Sequence, residues 1–136
     1  MRIVTYNIQF GLGHDGRIDL ARTARTIARA DIICLQEVDR HWRRSGVQDQ
    51  ALILSGLMPD RYWVYGAGLD VDASEMIVGR LVNRRRQFGN MTLSRWPILS
   101  SRCHVLPKVE SGSEFNMLTP ALETVIDAPG GGRSGW

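Results

Sequence analysis

Arg2 to Phe10, RIVTYNIQF, alternates branched and aromatic residues and predicts a buried strand, closed by the turn formers Gly11, Gly13, Asp15 and Gly16. The period then changes. Between Asp19 and Ala30, Leu20, Ala24 and Ile27 recur at helical spacing, Ala21 and Ala28 widen the apolar stripe, and Arg22, Arg25 and Arg29 line another face. This amphipathic helix runs directly into a second strand, Asp31 to Gln36. Strand, helix and strand in so short a span form a βαβ unit, with a right-handed crossover and two parallel strands in one sheet. Asn7 and Glu37 are therefore expected at the same end of that sheet, where the carboxyl ends of strands bring ligand-binding groups together.

Farther along, Ser45 is the expected cap of a second helix in which Val47, Ala51, Leu54 and Leu57 repeat before Pro59 stops it. Tyr62 to Tyr65 reads as a short strand. Gly66 to Arg86 has an acidic start (Asp70, Asp72, Glu75), an apolar middle (Met76 to Val78) and a basic finish (Arg80, Arg84, Arg85, Arg86), with no sustained period, and is expected to be a surface excursion. Phe88 to Ser94 and Ile98 to Leu106, separated by Arg95, Trp96 and Pro97, predict an antiparallel hairpin. Pro107 to Ser113 reads as loop, Ala121 to Asp127 as a last strand, and residues 129–136 as a glycine-rich tail after a domain at 1–128.

Composition narrows the class without naming a chemistry. A chain of 136 residues with 43% hydrophobic and 23% charged residues is ordinary for one globular domain. No stretch reaches the roughly 20 apolar residues that span a bilayer, and the amino terminus lacks a signal-peptide layout, so a cytoplasmic location is expected. Cys34 and Cys103 lie far apart in apolar, strand-like surroundings, which fits buried thiols rather than a disulfide framework or a zinc site. The net charge of +3 leaves nucleic acid, phosphorylated small molecules and anionic headgroups open as partners.

The candidate chemistry sits where the apolar run DIICLQEVD ends in Gln36 and Glu37. A carboxylate at the end of a buried strand needs compensation by a cation, a hydrogen-bond network or water. Arg40 and Arg43 are candidate ion-pair partners; a divalent metal is the alternative that would bring reactivity. For Asn7, a turn-forming role through side-chain to backbone bonds stands beside a role in a site. His14 follows the first strand, His41 lies four residues beyond Glu37, and His104 falls in an apolar strand that favours a structural role. Arg84 to Arg86 could contact phosphates, and Trp42, Trp63 and Trp96 could stack on bases, yet no alternating basic and aromatic pattern links them.

Three motifs, TYNIQFG at Thr5 to Gly11, DIICLQEVD at Asp31 to Asp39 and QFGNMTLSRWPI at Gln87 to Ile98, resemble in this order the endonuclease/exonuclease/phosphatase superfamily with its deoxyribonuclease-I-like fold. The resemblance covers nearly the whole chain and corresponds to the amino-terminal half of a family domain. It implies an α/β fold, a partial four-layer α/β sandwich: one mixed sheet with helices on its outer face, the second half missing. It implies Mg2+ as cofactor, with Mn2+ as a substitute, Glu37 as metal ligand, and Asn7 beside the metal and the substrate phosphate. In the third motif it implies Asn90, Ser94 and Arg95 as supporting residues at the rim of the site, with Asn90 and Arg95 as candidate substrate contacts; His41 is a further candidate contact by its place four residues beyond Glu37 alone.

The implied activity is Mg2+-dependent hydrolysis of a phosphodiester or phosphomonoester, with nucleic acid or a phosphorylated small molecule as partner. The family's histidine strand, Asp-x-Asn motif and closing Asp-His pair, which supply the base for water, are not found in this sequence. The expectation is therefore an inactive or nearly inactive chain. The alternative is a non-catalytic remnant that binds metal or phosphate weakly, or an unstable fragment whose exposed apolar sheet face allows self-association.

Overall fold

The computed structural model describes residues 1–106 and 120–131. Its first strand, β1 (Ile3–Asn7), runs parallel to β2 (Ile32–Arg40), with Asn7 level with Gln36. Between them lies α1 (Leu20–Ile27), started by the Asp19 carboxylate, which accepts from the Arg22 backbone N–H at 2.9 Å. Leu20, Ala24 and Ile27 are buried, as the spacing required. The strand expected to continue to Phe10 stops at Asn7 because Gln9 and Phe10 both take positive φ in a 3₁₀ turn over Gln9–Gly11.

The second helix, α2 (Gln50–Leu57), is capped by Asp49, whose side chain accepts from Leu52 N, and not by Ser45. Ser45 is buried and its hydroxyl donates to Asp39 at 2.8 Å, while Val47, with a positive φ, lies exposed in the loop ahead of the helix. Both helices cover one face of a four-stranded mixed sheet. Ile33, Leu35, Val38, Met91 and Leu93 from the strands meet Leu20, Ala24, Ile27, Ala51, Leu54 and Met58 from the helix side in one core.

The sheet order is β1-β2-β6-β3, with β3 (Tyr62–Asp72) and β6 (Arg85–Ser94) antiparallel to each other and β6 antiparallel to β2. The surface excursion expected after Tyr65 is shorter than the sequence implied. β3 continues through Asp72, and only a separate hairpin of β4 (Glu75–Ile77) and β5 (Arg80–Val82) leaves the sheet. Gly68 explains part of the missed strand: it is an extra residue between Ala67, which opposes Gly89, and Leu69, which opposes Phe88, and such a bulge breaks a regular period.

β6 and β7 (Ile98–Val105) do not form the expected hairpin. Both edges of β6 are occupied, by β2 and β3, so the chain turns at residues 95–97 and β7 pairs instead with β8 (Pro120–Ile126). This pair packs on the sheet face opposite the helices: the Asn90 amide donates to Pro120 O at 2.7 Å, and a Cβ on Gly66 would come within 2.9 Å of Leu122. Three layers of an α/β sandwich result. The same face of β1, β2 and β6 carries Thr5, Cys34, Gln36 and Thr92 toward the carboxyl end of β1, with Ile3 and Ile32 toward its start. Cys103 is exposed, against expectation, whereas Cys34 is half-buried and its thiol pKa is pushed up by burial. The predicted loop at Pro107 to Ser113 and most of the glycine-rich tail lie outside the described residues. Among the described residues no helix is long and apolar enough to cross a membrane.

Candidate active site at the bulge of β2

Leu35 opposes Met91 and Val38 opposes Gly89, so Gln36 and Glu37 together face the single residue Asn90. This is a β-bulge, and Glu37 accommodates it with φ of 58°. A side chain with Cβ in the left-handed region stores strain of order 1 kcal/mol, and such strain concentrates at functional sites. The bulge lets Leu35 and Val38 both reach the helical core while redirecting the Glu37 carboxylate toward β1. There the Asn7 amide donates to Glu37 Oε1 at 2.9 Å, and Asn7 Oδ1 accepts from Gln9 N at 3.0 Å. The Asn7 side chain thus closes the strand through its oxygen and bonds the Glu37 carboxylate through its amide. Glu37 Oε2 has no hydrogen-bond partner among the described residues.

A buried polar network supports this pair from behind. Asp39 is fully buried; its carboxylate accepts from Arg44 Nε at 3.0 Å, Arg44 Nη2 at 2.8 Å and the Ser45 hydroxyl at 2.8 Å. The Gln50 side chain, also fully buried, accepts from Asp39 N at 3.0 Å and donates to Phe10 O at 2.8 Å. It therefore ties the strand of Glu37 to the turn that follows Asn7. The Arg44 guanidinium lies 4.4 Å from the Phe10 ring centre, 5.0 Å from Trp42 and 5.1 Å from Phe88. Its pKa is raised chiefly by the Asp39 hydrogen bonds, with the Glu37 charge adding to them. On the other side of β2, Tyr65 donates its hydroxyl to Val38 O at 2.9 Å, and burial pushes the phenol pKa up.

Of the residues singled out in the sequence, the structure brings together Asn7, Glu37 and Asn90, the last opposite the bulge with its amide committed to β8. His41 is not with them. It sits past the end of β2, its Nδ1 2.9 Å from Arg85 O, in a left-handed conformation. Arg95 lies at the opposite end of the sheet, bonded through its backbone to Asp31 O and paired with Asp31 and Asp60, which separates it from Glu37 by the length of β2. Ser94, at the same far end, accepts from Trp96 N. His14 lines a groove of about 610 Å3 beside α1 with Tyr6, Asn7, Arg22 and Thr26, which Glu37 does not line. His104 is not a core histidine: it pairs with Glu123 across β7 and β8 at 2.6 Å.

The sequence reading missed Asp39, Arg44 and Gln50. A second acid two residues beyond Glu37 and the polar pair Asp49–Gln50 opening a helix were the available signals. Among the described residues no group of three His, Cys, Asp or Glu side chains converges on one point. This end of the sheet offers one free carboxylate oxygen, an orienting amide and a rigid backing, an arrangement able to hold a cation whose other positions are filled by water or a ligand.

The fold recurs in solved proteins. An endonuclease/exonuclease/phosphatase from Beutenbergia cavernae superposes with a TM-score of 0.66 at 24% identity, covering 95% of this chain and 35% of that one. An endonuclease/exonuclease/phosphatase family protein from Leptotrichia buccalis superposes with a TM-score of 0.61 at 19% identity, covering 96% of this chain and 50% of that one. The chain thus spans half or less of these structures. No curated protein sequence matches it. Residues 4–131 match the model of the Endonuclease/Exonuclease/phosphatase family, and with that extent of match the chain belongs to this family.

Proposed function

We propose that the Asn7–Glu37 pair is the metal-side wall of a phosphoesterase site, acting in hydrolysis of a phosphodiester or phosphomonoester. The observation that carries this reading is the strained bulge, which gives up regular pairing to place a half-buried carboxylate against Asn7 with one oxygen left over. Mg2+, or Mn2+ in its place, fits that donor set, since such ions take one or two protein carboxylates and keep water and phosphate oxygens as their remaining ligands. When bound, the ion would neutralise phosphate charge and stabilise the charge that develops in displacement. Glu37 holds the ion through its carboxylate, and Asn7 fixes the orientation of that carboxylate. Asp39, Arg44 and Gln50 keep the bulge from relaxing.

Family membership supports a phosphate-ester substrate, and the short span relative to the matched structures supports a site completed by residues beyond those described. On this reading the 136-residue chain binds a divalent ion weakly and turns over slowly or not at all. The test is hydrolysis of p-nitrophenyl phosphate and bis(p-nitrophenyl) phosphate with Mg2+ and Mn2+, by this chain and by a version fused to the remainder of a family domain. Activity is expected in the longer protein and its loss in Glu37→Gln. Full activity in Glu37→Gln of the longer protein would overturn the assignment.

A further inference from the structure

Arg44, in the 3₁₀ turn Arg43–Ser45, is held more firmly than a side chain that is 36% exposed ordinarily is. Its Nε and Nη2 each donate to an oxygen of the buried Asp39 carboxylate, and its guanidinium lies against the rings of Phe10, Trp42 and Phe88. Two of its three nitrogens are thus committed. Nη1 has no hydrogen-bond partner among the described residues. Arg40 makes the contrast: its Nε and Nη2 donate to Asp49 and its Nη1 to Gln87 Oε1, so that guanidinium is fully engaged by the fold. Arg44 satisfies Asp39 and keeps one nitrogen over.

Arg44 belongs to the same face and the same end of the sheet as Glu37. Phe88 opposes Asp39 and Asn90 opposes the bulge, and residues two apart on β6 share a face at a spacing of about 7 Å. Asn90 reaches β8 from that face, so it is the one turned away from the helices. Arg44 stands against Phe88, and Phe10, its nearest ring, follows Asn7 by three residues. Glu37 is close enough for its charge to help raise the Arg44 pKa, yet no ion pair or hydrogen bond joins the two among the described residues. A carboxylate and a guanidinium that share a face without closing on each other leave room for a ligand. A cation on the first and an anion on the second satisfy both.

We infer that Arg44 is a phosphate anchor, its Nη1 donating to a non-bridging oxygen of the phosphate ester whose other oxygen meets the ion at Glu37. The identity of the ligand rests on the phosphoesterase reading; the anion contact is a property of this chain's own residues. Hydrogen bonds between two charged groups are short and strong, and the neighbouring rings keep water from competing on their side of the guanidinium. Asp39 and the rings fix the guanidinium plane before the ligand arrives, so little side-chain freedom is lost on binding. One residue therefore neutralises Asp39 behind the bulge and contacts substrate in front of it. A role confined to Asp39 predicts no response to phosphate.

The test is titration of inorganic phosphate into the 15N-labelled full chain at constant ionic strength, read at the Arg44 Nε–Hε resonance, first without metal and then with Mg2+. Arg85, whose Nε donates to Asp70 in an exposed pair, is the internal control and needs no variant. A saturable shift at Arg44 and none at Arg85 is expected, and Mg2+ is expected to lower the half-saturating phosphate concentration at least about fivefold. Asp39→Asn with Arg44→Gln keeps a hydrogen-bonded pair without either charge. It is expected to weaken phosphate binding at least about tenfold, read at the Trp42 indole N–H, which is bonded to Gln87 O. Equal shifts at Arg44 and Arg85, no saturable shift at Arg44, or unchanged binding by the folded double variant would overturn the anchor. A half-saturation point unmoved by Mg2+ would overturn its link to Glu37, whereas failure of the phosphoesterase reading shows separately, as activity that survives Glu37→Gln in the longer protein.

Discussion

Gln50→Leu tests the network that holds the bulge. The leucine has nearly the same volume and a better helix propensity, so α2 itself is not weakened. What is lost is the bridge: Asp39 N–H and Phe10 C=O, bonded now to the Gln50 side chain at 3.0 and 2.8 Å, would be left without partners behind a fully buried side chain. Each of the two stranded groups costs about 1–3 kcal/mol, and the added apolar burial offsets about 1 kcal/mol, so a net loss of about 1–5 kcal/mol, centred near 3 kcal/mol, is expected. With a urea dependence of roughly 1–3 kcal/mol per molar, the unfolding midpoint should fall by about 1–2 M. Tryptophan fluorescence follows the transition, because Trp63 packs against the core. Leu52→Ala, on the exposed face of the same helix, is the control and is expected to shift stability by less than about 1 kcal/mol. A Gln50→Leu loss no greater than that of the control would refute the bridging role.

Three other outcomes follow from the same geometry. Arg44→Ala leaves the fully buried Asp39 carboxylate with only the Ser45 hydroxyl and is expected to cost about 2–4 kcal/mol in urea unfolding, the upper end being limited because Arg44 is itself partly exposed; Asp39→Asn with Arg44→Ala should recover part of that loss. Gly89→Ala would drive a Cβ to within 2.0 Å of Gly66 O on β3, so it is expected to cost at least about 2 kcal/mol and to loosen amide protection along β3 in hydrogen exchange. The hydrogen bond from Arg2 N to Asp31, at 2.7 Å, is the main cause of a carboxyl pKa below the ordinary value; that stability is complete above the unfolded pKa, near 4, and is lost as pH falls through the folded value, so acid unfolding should begin at higher pH in Arg95→Ala than in the native chain, and its dependence on this carboxyl should disappear in Asp31→Asn.

Much of the fold was legible because its signals are local. Leu20, Ala24 and Ile27 mark α1 by spacing alone, and the strand-helix-strand order fixes β1 and β2 as parallel neighbours at whose common end Asn7 meets Glu37. What escaped the sequence depends on tertiary partners. The cap of α2 was assigned to Ser45 because its hydroxyl is chemically suited to capping; in the fold, the buried Asp39 claims that hydroxyl and Asp49 does the capping. The β6–β7 hairpin was read from the short 95–97 interval, but no free edge of β6 remained once β2 and β3 had paired with it. The same limit applies to the site. Glu37 could be named from its place at the end of an apolar run, whereas Gln50 acts through Phe10 O, 40 residues away in sequence, and nothing in its own neighbourhood announces that contact.

The central claim, that the bulge of β2 holds a divalent cation through Glu37, is tested most directly by titrating Mn2+ into 15N-labelled chain and reading which amide resonances broaden. Broadening centred on residues 7–11, 36–39 and 89–91, and abolished by Glu37→Gln, is the result expected. Broadening centred instead on the acidic stretch around Asp70 and Asp72, or left unchanged by Glu37→Gln, would contradict it.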